Sequence, residues 1–181
     1  HEDSKVYPLR GRECSSNQMP FIKEKFKTYE AFGMAEIQDV YGDKLKKSLH
    51  FEANNFASGI FTNKQNEKFE FTSFGNDVQI SSINKILVAD FDGDSYKDLL
   101  LFGNLYASEV ETPRNDASYG HFMKGNSKGT FKAIPAKDSG LYVKGDIKDA
   151  VIIHLGSKEK EVIGLLVAKN NDSLQLIEVK K

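Results

Sequence analysis

A mainly β chain built from repeated four-stranded antiparallel units is what most of this 181-residue sequence predicts, on three observations. The first is a series of short apolar runs, at 86–89, 98–102, 151–155 and 163–167, each bounded by Gly, Asn, Asp or Ser. Buried strands have this length and punctuation; buried helices run longer. The second is a hairpin that recurs three times. Gly59-Ile60-Phe61-Thr62-Asn63 returns through Phe69-Glu70-Phe71, His121-Phe122-Met123-Lys124-Gly125 through Phe131, and Leu165-Leu166-Val167-Ala168-Lys169 through Leu174-Gln175-Leu176. Each has an Asn/Gly/Asp-type turn and an apolar residue opening the return strand. The third is a strand opening that occurs twice, Lys97-Asp98-Leu99-Leu100-Leu101 and Lys148-Asp149-Ala150-Val151-Ile152. Four strands per unit at a period of roughly 45–60 residues is the pattern of β-propeller blades. Residues 51–181 hold about two and a half such blades.

The first 50 residues differ. Val6-Tyr7-Pro8-Leu9 and the polar run after it read as an extended segment over 1–17. From 18 to 50 the period changes. Phe21, Ile22, Phe26, Tyr29, Phe32, Ile37, Val40 and Tyr41 recur at three-and-four spacing, which marks amphipathic helix. Pro20 suits a first helical turn, Thr28 a cap and Gly42 an end, giving two short helices. Their Phe21, Phe26, Phe32 and Ile37 side is too apolar to leave in water and is expected to pack against the strands.

Composition removes several function classes. Basic and acidic residues number 25 and 26 and are well mixed, for a net charge of -1. A nucleic-acid surface needs a concentration of Lys and Arg, so neither nucleic acid nor membrane insertion is expected. No run approaches the ~20 apolar residues of a membrane span. The lone Cys14 can form no internal disulfide and is expected to be a half-buried free thiol. The chain opens on charged residues without an initiator Met, as a piece of a longer protein would.

The chemistry concentrates in Asp90-Phe91-Asp92-Gly93-Asp94-Ser95-Tyr96-Lys97-Asp98. Carboxylates stand at loop positions one, three, five and nine, with the Tyr96 carbonyl at seven. Calcium takes six to eight oxygens, and alternating acidic residues in a tight loop aim them at one centre. Gly93 permits the sharp bend, and the crowded carboxylates would repel one another without a cation. An EF-hand is excluded, because that loop needs Gly at six and Glu at twelve, where Ser95 and Leu101 stand. The alternative is a solvated acidic turn. Asp146 and Asp149 are separated by only two residues, too few to wrap an ion, so one calcium site is expected.

On these residues the 90–100 loop resembles the D-x-D-G-D-x-x-x-D-L loop of FG-GAP/VCBS-type repeats of integrin-like β-propellers and large bacterial secreted proteins. Lys124-Gly125-Asn126-Ser127-Lys128-Gly129-Thr130-Phe131 resembles that family's N-G-D-G-T-F turn. The whole chain is similar to the C-terminal part of VCBS-repeat proteins of Bacteroidetes related to the ASPIC/UnbV group. In that resemblance Leu9 to Ser16 and the helical zone form an insertion within the propeller, while 114–120 is a further recurring segment; the expected division is 1–17 as an extended segment of a blade and 18–50 as the helical insertion. The resemblance implies ligand roles for Asp90, Asp92, Asp94, Tyr96 and Asp98. It also implies a structural calcium ion and a secreted, periplasmic or outer-surface location. The expected role is adhesion, recognition or scaffolding within a longer chain or a self-associated one.

Catalysis has little support. His1, His50, His121 and His154 sit in no metal or triad spacing, and no phosphate-cradling loop or nucleophile elbow is present. Glu109, Glu111 and Asp116 near Arg114 admit a glycosidase-like pair, or equally a solvated loop with a local ion pair. The chain is therefore expected not to be an enzyme, with a glycan-binding or glycan-processing domain as the alternative. Within the long connection 104–118, Asn104, Tyr106, Arg114, Asn115 and Asp116 are the residues suited to grip a protein or a glycan.

Overall fold

A computed structural model of the chain describes residues 5–110, 112–157 and 160–180. It divides into two compact units, His1–Asn54 and Asn55–Lys181.

The first unit is helical. Four short helices, α1 (Arg12–Gln18), α2 (Phe21–Lys25), α3 (Tyr29–Gly33) and α4 (Ile37–Tyr41), lead into a 3₁₀ turn, Gly42–Lys47. Two helices were expected, and local capping explains the larger number. Thr28 takes an extended conformation and accepts the Ala31 N–H at 3.1 Å, starting α3. Glu36 and Asp39 cap α4 reciprocally, each side chain accepting from the other's backbone. These caps break the chain where the apolar period runs on without interruption. Helix α1 also corrects the extended reading of 1–17 over its second half, and Cys14 on it is exposed rather than half-buried. Ile22, Phe32, Ala35 and Val40 form a small core of this unit, with Met19, Phe21, Phe26 and Tyr41 packed on it. Phe26 meets Phe32 edge to face at 5.6 Å. Of the residues expected to pack against the strands, Phe21, Phe26 and Phe32 take part in this core.

The second unit is mainly β; its described residues form three antiparallel sheets that do not close into a barrel. Strands β1 (Gly59–Asn63) and β2 (Phe69–Ser73) form a hairpin. Strands β3 (Ile83–Ala89), β4 (Asp98–Gly103), β5 (His121–Lys124) and β6 (Lys132–Ile134) form a four-stranded meander in that order. A single helical turn, α5 (Ala136–Ser139), precedes β7 (Ile147–Ser157), β8 (Lys160–Lys169) and β9 (Gln175–Glu178), a three-stranded meander. All three expected hairpins are present, as β1–β2, β5–β6 and β8–β9. One sheet has the four strands expected of each unit; the others have two and three.

Side-chain alternation explains how the sheets stack. Strand β4 is buried along its whole length because it faces a partner on both sides. Leu99 and Leu101 look one way, with Met123, toward Ile60, Phe74 and Val78 beside the hairpin. Leu100 and Phe102 look the other way, with Leu87, toward Ala150, Leu165 and Val167 of the three-stranded sheet. The main core therefore lies between the four- and three-stranded sheets, and Phe91 of the acidic loop is part of it.

One buried polar residue ties these pieces together. Asn104, directly after β4, is fully buried at φ 85°. Its side-chain NH₂ donates to the carbonyls of Ser118 and Gly145, both at 2.8 Å. Its side-chain oxygen accepts from the Ser81 hydroxyl at 2.6 Å and the Ser118 N–H at 3.1 Å. The expectation that Asn104 grips a ligand is corrected: all its polar capacity is spent inside the fold.

Candidate metal centre

The acidic loop leaves β3 at Asp90 and enters β4 at Asp98, so both ends are anchored in paired strands. Between them the residues alternate. Phe91 points into the core, 5% exposed, and thereby turns Asp90 and Asp92 to the opposite side. Gly93 at φ 83° makes the reversal, a conformation that a side chain would strain.

Backbone amides fix the carboxylates. Asp90 accepts the N–H groups of Gly93 at 2.7 Å and Ser95 at 3.0 Å, one on each oxygen. Asp92 accepts from Asp94 N–H at 3.2 Å, and Asp94 from Tyr96 N–H at 2.9 Å. Asp98 is fully buried, and its two oxygens accept from Phe91 N–H at 3.0 Å and Gly125 N–H at 2.8 Å. The second of these comes from the end of β5, where the chain lies so close that a Cβ on Gly125 would stand 1.9 Å from the Lys97 carbonyl oxygen. Asp98 thus holds the loop's entrance, its exit and the neighbouring hairpin in one place.

Asp90, Asp92 and Asp98 each present a carboxylate oxygen, all within 4.8 Å of one another. An all-oxygen set of this kind could hold a hard cation. Each carboxylate oxygen engaged by one N–H keeps a second lone pair for a metal. These three carboxylates could bind a metal ion.

Asp94, a further expected ligand, lies outside this cluster. Asp94 forms an ion pair with Lys124 at 2.8 Å, and Lys124 also contacts Asp92. This pairing holds the Asp94 carboxyl below the usual range, chiefly through the Lys124 hydrogen bond, and raises the Lys124 ammonium above its own. Tyr96 donates its N–H to Asp94; the ligand expected from it is its backbone carbonyl, which this bond does not engage. Lys124, the last residue of β5, is the participant that sequence spacing missed. It lies far along the chain and arrives only through β4–β5 pairing.

A cation bridging Asp92 and Asp94 is a tethered counter-ion that an incoming metal must displace. Lys124→Met should therefore tighten calcium binding about tenfold by calorimetric titration, as expected for removing a unit charge a few ångströms from a divalent ion near the surface. It should also widen the gap between melting temperatures with and without calcium. Unchanged affinity would mean that Lys124 stands clear of the ion.

The second acidic turn is built differently. Asp146 is buried, with Lys148 at 2.8 Å on one oxygen and Asn170 at 3.4 Å on the other. Asp149 turns to Lys85 at 2.6 Å, which lowers its carboxyl below the usual range.

In the long connection, Leu105 and Asn115 exchange both backbone hydrogen bonds at 2.8 Å and close its neck. Arg114 lies over the Tyr106 ring at 4.8 Å and pairs with Asp116 at 2.9 Å. Arg114, Asn115 and Asp116 are exposed, whereas Glu111 lies outside the described residues. Ser118 and His121 also meet, Oγ to Nε2 at 3.2 Å, with Asp77 charged nearby. Ser118 is buried, and its hydroxyl accepts the Gly120 N–H at 3.1 Å. Burial also lowers the His121 imidazole below its ordinary value.

Comparison with known protein families, curated proteins and solved structures returns no match. Among the described residues no helix is long and apolar enough to cross a membrane.

Proposed function

We propose that this chain is a calcium-binding segment of a β-propeller, serving as a recognition, adhesion or scaffold module of a secreted or cell-envelope protein rather than as an enzyme. The observation that carries this reading is the convergence of Asp90, Asp92 and Asp98 at a strand-to-strand turn. Face-to-face stacking of antiparallel meanders supports the blade assignment, since blades stack in that way. The ion, held by these three carboxylates, would neutralise their charge and brace β3 against β4. Recognition would fall to the exposed loop carrying Tyr106, Arg114, Asn115 and Asp116.

The test is thermal. Binding to the folded state alone stabilises by RT ln(1 + [L]/Kd), about 2.7 kcal/mol at a hundredfold excess over Kd. Adding chelator should lower the melting temperature by several degrees, and Asp146→Ala should leave calcium affinity unchanged. Equal melting temperatures with and without calcium would remove the metal from this reading. A glycan array and a hydrolase screen would then separate binder, scaffold and enzyme.

A further inference from the structure

Two exposed tyrosines are held face to face by backbone that is anchored on both sides of each. Tyr119 follows Ser118, which is buried beside Asn104, and precedes Gly120. Gly120 stands at φ 86°, so close to Leu141 and Phe102 that there is little room for a side chain. Tyr142 lies between Leu141 and Val143, both buried in the main core, and its own ring stands outside. The Tyr119 carbonyl accepts the Val143 N–H at 2.8 Å and fixes the two segments side by side.

The rings stack with centroids 4.5 Å apart and planes 12° from parallel, at the close end of the range for aromatic pairs. Tyr119 is 39% exposed and Tyr142 60%. Neither belongs to a core cluster, so the stack is not core packing. Their hydroxyl ends lie together. Desolvation, and after it the Tyr119 hydroxyl, raises the Tyr142 phenol above its ordinary value. Among the described residues no other two tyrosines are stacked.

We propose that Tyr119 and Tyr142 form an oxidative cross-linking site, joined as dityrosine by a haem peroxidase with hydrogen peroxide. The oxidant takes one electron and one proton from each phenol. The two radicals couple at ring carbons next to the oxygens, forming a C–C bond. Each of those carbons then gives up its hydrogen as a proton and its oxygen takes one up, which restores both phenols. The chain loses two hydrogen atoms, and the peroxide becomes two molecules of water. A radical whose partner ring already lies against it couples without moving a segment, the advantage of reactants held in place. The bond would tie the connection before β5 to the segment before β7, and so the four-stranded sheet to the three-stranded one.

The test treats the full chain, at low micromolar concentration, with a haem peroxidase and hydrogen peroxide. Dityrosine fluorescence should appear. Tryptic digestion should yield peptide 115–124 joined to peptide 138–144, two hydrogens short of their summed mass. This product should outweigh dityrosine from every other tyrosine in the chain. Tyr119→Phe and Tyr142→Phe keep an aromatic ring but form no phenoxyl radical, so each should lose the product with circular dichroism unchanged. The cross-linked chain should melt higher than the untreated one, because the bond restricts the unfolded chain. Cross-links spread evenly over the tyrosines, or chains joined to one another ahead of the 119–142 product, overturn the proposal. So does undiminished fluorescence in Tyr142→Phe. An unchanged melting temperature after cross-linking overturns the tie between the sheets.

Discussion

Asp98→Ala should destabilise the β unit by about 2–4 kcal/mol in chelator, where no metal is involved at all. Its two oxygens are the acceptors for Phe91 N–H and Gly125 N–H, and the residue is fully buried. Removing it strands two buried donors, each costing about 1–3 kcal/mol. Asp98→Asn keeps one acceptor oxygen and should fall between wild type and Ala. Asp92→Ala should behave differently. That side chain is more exposed, and its partners are Asp94 N–H and Lys124, so in chelator its loss should be small. With calcium present, Asp92→Ala should melt like wild type stripped of the ion. Urea unfolding of the three variants with and without calcium separates the two roles. If Asp98→Ala matched wild type in chelator, the buried hydrogen bonds would not be the brace described.

Asn104→Ala is the other large effect, about 3–5 kcal/mol. The substitution leaves Ser118 N–H without an acceptor, two buried carbonyls without donors and the Ser81 hydroxyl without its partner. The left-handed φ of 85° adds strain that Asn tolerates better than Ala. Asn104→Gly relieves the strain but not the lost hydrogen bonds, so it should recover about 1 kcal/mol of the deficit. Urea midpoints for the pair measure both parts. An Ala variant within 1 kcal/mol of wild type would show that the hub does not hold the segments together.

The strands were legible because their signals are local. A turn rich in Asn and Gly between apolar runs marks a hairpin wherever it packs, and all three were found at their expected places. The acidic loop was legible for the same reason, since alternation within nine residues decides which side chains share a side. What failed was non-local or too fine. Lys124 enters the carboxylate cluster only through strand pairing and diverts Asp94 from it. Asn104 reads as a loop residue because nothing in its neighbourhood announces burial; its partners lie at 81, 118 and 145. The helices were miscounted because a continuous 3.6 period conceals the caps at Thr28 and Glu36.

The alternation around Phe91 also limits how this loop can change length over evolutionary time. Asp90 and Asp92 face the carboxylate cluster only because Phe91 between them is seated in the core. Inserting or deleting one residue next to Phe91 would put a carboxylate where the ring now sits and throw the ring into solvent. Length variants among homologues should therefore avoid the stretch from Asp90 to Asp92 and fall beyond Gly93. There Ser95, Tyr96 and Lys97 are exposed, and an added residue would leave the sides on which Asp90, Phe91 and Asp92 stand unchanged.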